Sequence, residues 1–394
     1  MAATAIDLLD VEALLSDDDK AVRDSVRRYV DKEVMPLVVD GARQGKFPWQ
    51  LAKGIAGLGL LGAPLSTHGC AGLSPLAYGL CLAELDRADA GVRSFCSVQS
   101  SLVMWPIAKF GSDAQRDRWL PKLRDADAIG CFGLTESDAG SDPGAMRTTA
   151  TKTPTGWKLN GHKRWITNGT RADVAVVWAR AVVPDAHGEK PTIRGFLVEK
   201  GMKGFEQHSI GDKQSFRLSD TAELRFDDVE LADDAVLPGG KGLAAPLAVL
   251  NEARGGIAIA VLGSAAACLE VALNFVADRN SFGRPIAATQ LAQEKLAEMA
   301  IELAKARLVA YRLAQLKAAG TVEAVQVSLA KRNNVAIALE IARTARALLG
   351  ANGITDDYPV MRHMVNLETV YTYEGTHDVH TLVIGSFLTG QKAF

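Results

Sequence analysis

The amino-acid sequence predicts a mainly α-helical protein with a β-domain in its middle. Long segments toward both ends repeat apolar residues at three- and four-residue intervals, as on one face of a helix. Residues from about 131 to 235 instead form short runs rich in Val, Ile and Thr, separated by turn residues. We therefore expect an N-terminal helical domain (1–130), a middle β-barrel or sandwich domain (131–236) and a C-terminal four-helix bundle (237–394).

The composition is that of a soluble globular protein. Of 394 residues, 48% are hydrophobic and 23% are charged, and the net charge of -2 gives no basic surface for nucleic acid. The five cysteines are scattered without a CxxC pair, which indicates reduced thiols. The acidic N-terminus does not resemble a signal or transit peptide, and no uninterrupted apolar run is long enough to span a bilayer. We expect a cytoplasmic protein without a membrane or nucleic-acid partner.

The N-terminal part contains several segments of helical spacing. In SDDDKAVRDSVRRYVDKEV, three acids follow Ser16, which is a plausible N-terminal cap. The apolar segments PLAYGLCLAELDRADAG and VQSSLVMWPIAKFG have helical length. These segments predict helices from residue 10 to about 120.

The middle part contains segments typical of strands. GWKLNGHKRWITNG places an Asn-Gly pair between two short runs, and this pattern predicts a hairpin. The runs DVAVVWARAVV, TIRGFLVEKG and TAELRFDDVEL are each short and rich in strand-forming residues.

The C-terminal part returns to helical spacing. Its three long segments are Ala-rich or carry charges between apolar residues: LAVLNEARGGIAIAVLGSAAACLEVALNFVADR, QLAQEKLAEMAIELAKARLVAYRLAQLKAA and TVEAVQVSLAKRNNVAIALEIARTARALLG. Several such helices side by side favour a bundle.

Three short motifs do not support the functions that they suggest. GLGLLG (57–62) lacks the preceding strand of a dinucleotide site, so we interpret it as a helix end and a turn. PGGKG (238–242) lacks the Ser or Thr of a P-loop and is interpreted as a flexible turn. His377 and His380 have no further ligand-type residues around them, so we expect no metal site there.

Two other segments could hold a ligand. CFGLTESDAGSDPG (131–144) is dense in Gly, Ser, Thr and Asp, and it could offer N–H groups and hydroxyls to an oxygen-rich ligand. By itself it is better interpreted as a turn-rich start of the β-domain. WITN (165–168) combines an aromatic ring with a hydroxyl, which suits a flat heterocycle, although a core tryptophan is the commoner case.

Taken together, these segments resemble the acyl-CoA dehydrogenases, flavoenzymes that desaturate acyl-CoA thioesters. The matching segments follow the family order over nearly the whole chain: CFGLTESDAGSDPG, KRWITNG, LNEARGGIAIAVLG, DRNSFGRPIAATQLAQEKLA, LLGANGI and YTYEGTHDVH. Within the family, the sequence looks most like the glutaryl-CoA dehydrogenases, by ELDRADAGVRSFCSVQSSLVMWPI, RGFLVEKGMKG, KRNNVAIALEIAR and the final GQKAF.

The resemblance implies a base and a set of substrate contacts. Glu374 would remove the α-proton of the thioester, and Gly375 would permit close approach of the backbone. Arg93 and Ser94 would bind the distal carboxylate of glutaryl-CoA, with Asp86 in place of the usual Glu. The remaining implied substrate contacts are Ser141, Leu247, Asn251, Arg254 and Tyr373.

The resemblance also implies FAD as cofactor and a homotetramer. The residues expected to contact FAD within the chain are Phe132, Leu134, Thr135, Gly140, Ser141, Trp165, Ile166, Thr167 and Thr376. Those expected to reach the FAD of a neighbouring subunit are Arg279, Phe282, Gln290, Leu349 and Gly350. The implied reaction gives crotonyl-CoA and CO2, with electrons passed to electron-transfer flavoprotein.

Several alternatives stay open at this point. Asp89 and Arg93 are four positions apart and could form a surface ion pair instead. The substrate could be another carboxylated or branched acyl thioester, on CoA or a carrier protein, oxidised without decarboxylation. An acyl-CoA oxidase and a non-catalytic acyl-thioester binding module are further alternatives.

Overall fold

The structure is a computed structural model that describes residues 7–183 and 191–394. Helices, a sheet and then helices again follow one another along the chain, as the sequence predicts. The N-terminal helices are α1 (Asp17–Tyr29), α2 (Met35–Gln44), α3 (Leu51–Gly57), α4 (Pro75–Ala88), α5 (Ala90–Ser97), α6 (Trp105–Phe110) and α7 (Asp113–Arg124). Short π-helical turns join α1 to α2 (Val30–Val34) and α5 to α6 (Val98–Met104).

Ser16 caps α1 as predicted. Its hydroxyl accepts a hydrogen bond from the backbone N–H of Asp19 at 3.1 Å, and the Asp19 carboxylate accepts one from the backbone N–H of Ser16. This capping box satisfies two N–H groups that have no partner inside the helix. GLGLLG also behaves as predicted, since α3 ends at Gly57 and a turn follows.

The middle part forms an eight-stranded sheet. Its strands are β1 (Gly130–Gly133), β2 (Thr149–Thr153), β3 (Gly156–Thr167), β4 (Val174–Val182), β5 (Thr192–Glu199), β6 (Phe205–Ser209), β7 (Thr221–Leu231) and β8 (Val236–Lys241). They lie in the order β6-β7-β3-β2-β4-β5-β8, and β1 pairs with β4 beyond the end of β2. The three predicted runs after residue 170 are β4, β5 and β7.

The Asn-Gly hairpin prediction is wrong. Asn160 and Gly161 lie inside the single long strand β3, where the pairing with β7 shifts register. The Asn160 side chain bonds Asp228 on β7 through both its oxygen and its nitrogen, at 2.8 and 2.9 Å. A Cβ at Gly161 would lie 2.6 Å from the Thr148 hydroxyl, so glycine serves a bulge here and not a turn.

The interpretation of PGGKG as a flexible turn is also wrong. Residues 238–241 belong to strand β8, which pairs with β5. A Cβ at Gly239 would lie 3.0 Å from the Cα of Phe110 in α6, so the glycine allows this strand to pack closely against the N-terminal helices.

The C-terminal part is helical. It contains α8 (Ala244–Asp278), α9 (Gln290–Ala318), α10 (Ala324–Leu348), α11 (Val360–Thr372) and α12 (His377–Thr389), with a small hairpin of β9 (Asn280–Ser281) and β10 (Arg284–Pro285) after α8. Helices α8 to α11 share one buried apolar cluster that also includes residues of α4 and α5. The bundle is therefore continuous with the N-terminal helices.

Helix α8 is more apolar than the sequence reading allowed. It is long and apolar enough to cross a membrane by length and composition, but 72% of its most apolar 18-residue window is buried inside the protein. Because other helices cover it, α8 is a core helix, which explains the apolar composition without a bilayer.

Helices α4 and α8 cross at very close range. A Cβ at Gly263 of α8 would overlap the carbonyl oxygen of Ala83 in α4 and come within 3.0 Å of the Arg87 backbone nitrogen. Both obstacles are backbone atoms, so neither can move without shifting a helix. Glycine at position 263 therefore sets the distance between the two helices.

We predict that Gly263→Ala destabilises the protein by about 1–3 kcal/mol, because the added methyl group must push α8 away from α4. The measurement is the midpoint of thermal unfolding. The matched control is Gly385→Ala in α12, where a Cβ would meet nothing within 4 Å. That control should be neutral or stabilising by up to about 1 kcal/mol, and equal midpoints for the two variants would contradict the prediction.

Candidate active site

The connection between α11 and α12 (residues 373–376) carries the predicted base in an unusual backbone conformation. Glu374 has φ 50° and Gly375 has φ 92°, both in the left-handed region. A Cβ at Gly375 would lie 2.7 Å from Nε2 of His380, so only glycine fits at this position. Thr376 then caps α12 by accepting a hydrogen bond from the Val379 backbone N–H at 3.1 Å.

Two cationic side chains hold the backbone of this connection. Lys331 of α10 donates to the carbonyl oxygens of Val370, Tyr373 and Gly375, at 2.9, 3.0 and 2.8 Å. Arg254 of α8 donates through Nε to the carbonyl oxygen of Glu374 at 2.6 Å. Three consecutive carbonyl groups are thus fixed by two other helices, which stabilises the strained turn around Glu374.

The Glu374 carboxyl group is available for proton transfer. Its Oε2 is buried and has no hydrogen-bond partner among the described residues. Burial raises the pKa of Glu374, although the charges of Arg254, Arg93 and Lys331 act in the opposite direction. A carboxylate whose pKa is raised toward neutrality is a better base than one fully exposed to water.

Arg93 of α5 is buried and only partly satisfied. Its Nε donates to Oδ2 of Asp86 at 2.8 Å, while its buried Nη2 has no partner in the described part of the chain. The other carboxylate oxygen of Asp86 accepts a hydrogen bond from the Ser264 hydroxyl of α8. Asp86 is thereby held between two helices, and one guanidinium nitrogen stays available to an acceptor.

The alternative of a surface pair between Asp89 and Arg93 is wrong. Both residues are buried, and Asp89 accepts hydrogen bonds from Arg362 at 3.1 Å and from Asn366 at 2.9 Å. Asp89 also caps α5 by accepting from the Gly91 backbone N–H at 2.7 Å. It therefore fixes the start of the helix that carries Arg93, without neutralising Arg93.

Two aromatic rings lie beside Arg93 and Glu374 in the site. The Phe216 ring is 5.7 Å from the Tyr373 ring, and the Arg93 guanidinium lies 6.0 Å above Phe216. The Tyr373 hydroxyl is buried near the Arg93 guanidinium and makes no hydrogen bond among the described residues. Burial also raises the pKa of Tyr373, so its phenol stays neutral. Together with Arg93 and Glu374, Tyr373 gives the site three buried polar groups that a bound ligand could satisfy.

Phe216 and Lys331 were missed in the sequence reading. Phe216 is held at φ 56° by its backbone N–H, which donates to Asn366 at 2.7 Å. Neither the composition nor the spacing around these two residues distinguishes them from ordinary core positions. Their contacts are long-range, and only the fold brings them to Tyr373.

The end of β3 and the loop after β1 carry the residues expected to contact a flavin. Trp165 is 55% exposed at φ 64°, with the Arg164 guanidinium 5.3 Å from its ring, so it is not a core tryptophan. Ile166 is buried next to it and Thr167 is partly buried. In the described residues, the hydroxyls of Thr135, Ser141 and Thr167 make no hydrogen bond to the protein, which suits an oxygen- and nitrogen-rich ligand.

A buried ion pair shapes the segment that begins at Phe132. Lys163 of β3 donates to Glu136 at 2.8 Å and to the Leu134 carbonyl oxygen at 3.0 Å. Glu136 also accepts from the backbone N–H groups of Arg147 and Thr148. Burial opposes ionisation, but Lys163 and these N–H groups lower the pKa of Glu136 to about 2. The pair therefore fixes the loop that ends at the exposed Gly140 and Ser141.

The remaining predicted substrate residues line two helices. Leu247, Asn251 and Arg254 lie on one face of α8, at intervals of four and three residues. Asn251 accepts a hydrogen bond from Arg254 at 3.0 Å, which orients Arg254 toward Glu374. Ser94 is buried in α5 next to Arg93.

The residues expected to reach a neighbouring subunit lie at the other end of the bundle. Arg279, Phe282 and Gln290 are exposed around the β9–β10 hairpin, and Phe282 is fully exposed at φ 51°. Leu349 is buried in the apolar cluster, whereas Gly350 is exposed. Only the backbone of Leu349 could therefore take part in such a contact.

The two histidines near the base have structural contacts. The His377 ring stacks on Tyr371 at 4.3 Å, and His380 packs against Gly375. Burial lowers the pKa of His380 to about 3, so it is neutral. Within residues 7–183 and 191–394, no group of three His, Cys, Asp or Glu side chains is arranged to hold a metal ion.

Comparison with protein families accounts for most of the chain. Three family models match in order: the acyl-CoA dehydrogenase N-terminal domain (residues 16–127), middle domain (131–229) and C-terminal domain (240–389).

Comparison with known proteins gives the same family. Two solved structures match with a TM-score of 0.95 over 98% of both chains: glutaryl-CoA dehydrogenase from Mycobacterium smegmatis, 51% identical, and a glutaryl-CoA dehydrogenase from the same organism in complex with FADH2, 47% identical. The human short-chain specific acyl-CoA dehydrogenase, a mitochondrial protein, is 36% identical over 92% of this chain and 88% of its own length.

We predict that Asp86→Asn lowers the free energy of unfolding by about 3–5 kcal/mol, because it leaves the buried Arg93 charge without its carboxylate. Combining Asp86→Asn with Arg93→Met should cost less than Asp86→Asn alone. Denaturant unfolding of the three variants measures this. The control is Asp356→Asn, which breaks an exposed pair with Arg43 at 2.7 Å and should cost at most about 1 kcal/mol. A double variant less stable than Asp86→Asn would contradict the prediction.

Proposed function

The chain belongs to the acyl-CoA dehydrogenase family of FAD-dependent oxidoreductases, and we propose that its substrate is glutaryl-CoA. The proposed reaction removes the α-proton and a β-hydride and then releases CO2, which gives crotonyl-CoA. Electrons would pass from the reduced flavin to electron-transfer flavoprotein.

The observation that carries this proposal is the free Nη2 of Arg93. A buried guanidinium with an unpartnered nitrogen is costly unless a ligand completes its hydrogen bonds. A carboxylate is the acceptor best matched to a guanidinium. An acyl chain with its thioester at Glu374 and a carboxylate at its far end would satisfy both ends of the site. The glutaryl-CoA dehydrogenase neighbours at 47–51% identity support the same choice.

The proposed chemistry begins at Glu374. Its Oε2 would accept the α-proton, and the electron pair left behind would move toward the thioester carbonyl as an enolate. The backbone N–H of Glu374 would donate to the thioester oxygen and stabilise the developing charge. Substrate binding would exclude water from the carboxylate and raise the pKa of Glu374 further.

FAD supplies the acceptor for the β-hydride when bound. The residues that would hold it are the exposed Trp165 ring and Thr167 at the end of β3, and the loop from Phe132 to Ser141 fixed by Glu136 and Lys163. The free hydroxyls of these residues and the exposed aromatic ring fit a flat, polar ring system.

Decarboxylation follows from the position of the second carboxylate. Oxidation places the new double bond next to the carbon that carries this carboxylate, so the electron pair left by CO2 would be delocalised into the thioester. Protonation of that carbanion gives crotonyl-CoA. Asp86, held by Ser264, keeps Arg93 in place while the carboxylate leaves.

A short-chain acyl-CoA is the second candidate substrate. The similarity to the human short-chain specific acyl-CoA dehydrogenase favours it. Such a substrate has no distal carboxylate, so it would not need Arg93 as a binding partner. We also propose a homotetramer, as the family resemblance implies, with the fully exposed apolar ring of Phe282 covered by a neighbouring copy.

We predict that Glu374→Gln lowers the rate of flavin bleaching by an acyl-CoA about 10^2–10^4-fold while FAD remains bound, because the amide cannot accept the α-proton. Stopped-flow absorbance of the flavin measures the rate. The control is Glu368→Gln in α11, an exposed residue paired with Arg343, which should bleach normally. Near-normal bleaching by Glu374→Gln would exclude Glu374 as the base.

We predict that Arg93→Met slows bleaching by glutaryl-CoA at least about tenfold, because the distal carboxylate loses a charge-assisted hydrogen bond. Bleaching by butyryl-CoA, which has no such carboxylate, should change less than about threefold. The exposed Arg43→Met serves as control for both substrates. CO2 release is measured in the same assays.

Two results would contradict the assignment of glutaryl-CoA as the substrate. Unmodified protein that bleaches with butyryl-CoA but not with glutaryl-CoA, or that bleaches with glutaryl-CoA and releases no CO2, would contradict the proposed reaction. Peroxide release during turnover would indicate an oxidase.

A further inference from the structure

Lys331 is a buried lysine in the middle of α10 that lies next to the proposed base. Its side chain is fully covered, and Nζ lies within 2.8–3.0 Å of three carbonyl oxygens, those of Val370, Tyr373 and Gly375. Three carbonyl oxygens can each accept a hydrogen bond only if the amine supplies three N–H donors. Only the protonated amine has three, so this geometry requires an ammonium group.

The three carbonyl groups have different origins. Val370 lies in the last turn of α11, where carbonyl groups lack partners within the helix and carry the negative end of the helix dipole. Tyr373 and Gly375 lie beyond the helix, one on each side of Glu374. A lysine whose only role was to bind the unpaired carbonyl groups at the end of α11 would need no bond to Gly375. Because Lys331 bonds both Tyr373 and Gly375, it holds the backbone on both sides of the base.

The charges around Glu374 come from three other helices. Arg93 lies on α5, Arg254 on α8 and Lys331 on α10, and all three favour the ionised carboxylate. The other titratable groups here are Tyr373 and, on α12, His377 and His380, whose pKa values burial shifts so that they stay neutral. Burial lowers the pKa of Lys331 to about 7, while Glu374 acts to raise it. The three carbonyl oxygens add to the stabilisation of its charged form.

We infer that Lys331 is a positioning residue for Glu374: it fixes the backbone on both sides of the base, and its charge favours the ionised carboxylate. This inference rests on the proposed role of Glu374. Lys331 itself contacts carbonyl groups, so it acts through Glu374. Arg254 cannot replace it, because Arg254 binds only the carbonyl oxygen of Glu374 in this connection.

The direction of the pH effect follows from the sign of the charge. A cation close to a carboxylate lowers its pKa, so removing Lys331 raises the pKa of Glu374. At a pH below that raised pKa, more of the base is protonated and cannot accept the α-proton. Each unit of upward shift therefore lowers the rate about tenfold in the acidic limb of the pH profile and leaves the alkaline limb unchanged.

The test compares Lys331→Met, Lys331→Gln and Lys331→Arg in the FAD-bound protein. The ionisation of Glu374 is followed by infrared difference titration of its carboxyl band, which Glu374→Gln identifies by removing it. The pH profile of flavin bleaching at saturating acyl-CoA is recorded beside it. We expect Met and Gln, which lack the charge, to raise both midpoints by about one pH unit or more. Arg, which keeps the charge, should stay within a few tenths of a unit.

The control for losing a buried lysine is Lys213→Met. Lys213 also donates to three oxygens, those of Phe216, Ser219 and Thr221, at 2.6–3.0 Å, and it does not act on the charge of Glu374. This variant should lower thermal stability without moving the Glu374 titration. An unmoved titration in both Lys331→Met and Lys331→Gln, with only stability reduced, would make Lys331 merely structural and overturn the inference.

The infrared titration keeps this inference separate from the proposed function. If Glu374→Gln bleaches normally, Glu374 is not the base, yet the band still shows whether Lys331 controls its ionisation. If Lys331→Met does not fold, Lys331→Gln decides the matter, because its amide retains N–H donors, on a side chain one atom shorter, while lacking the charge.

Discussion

The hydrogen bonds that hold the 373–376 connection are the constraint on which the rest of the site depends. A glutamate at φ 50° followed by a glycine at φ 92° is not a conformation that this segment would keep on its own. Two cations, the partly buried Arg254 of α8 and the buried Lys331 of α10, fix three successive carbonyl groups. The carbonyl groups and the Glu374 charge in turn compensate these cations inside the protein. Strain in the backbone and burial of charge therefore support each other.

The site is assembled from all three parts of the chain. Arg93 comes from the N-terminal helices, Phe216 from the loop before β7, and Glu374 from the C-terminal helices. The loop that carries Phe216 is tied on both sides: Ser215 bonds the Val365 carbonyl oxygen of α11 at 2.5 Å, and Arg217 bonds backbone carbonyls of α2. Since no single part contains the whole site, the site forms only when the parts pack together.

The sequence predicted much of this where the signal is local. The helix cap at Ser16 and strands β4, β5 and β7 each depend on neighbouring residues. The hairpin prediction for the Asn-Gly pair at 160–161 was wrong because pairing with Asp228, 68 positions further along the chain, overrides its turn preference.

What escaped the sequence reading depends on distant contacts. Lys331 resembles any charged residue between apolar ones in a helix, and its three acceptors lie about forty residues further along the chain. Ser264 is a small residue in an Ala-rich helix until the fold places it against Asp86. The same is true of Asp89. Its spacing suggested a pair with Arg93, whereas in the folded chain it pairs with Arg362.

Helix α8 carries one anchor for each end of the proposed substrate. Arg254 holds the backbone at the base, and Ser264, ten positions later, holds the acid that orients Arg93. At 1.5 Å per residue the two anchors are about 15 Å apart along a rigid rod, which the close crossing at Gly263 clamps against α4. The helix therefore keeps the two anchors at a fixed distance. The length of acyl chain that fits between the two ends can change only if side chains are exchanged, because the anchors cannot move relative to each other.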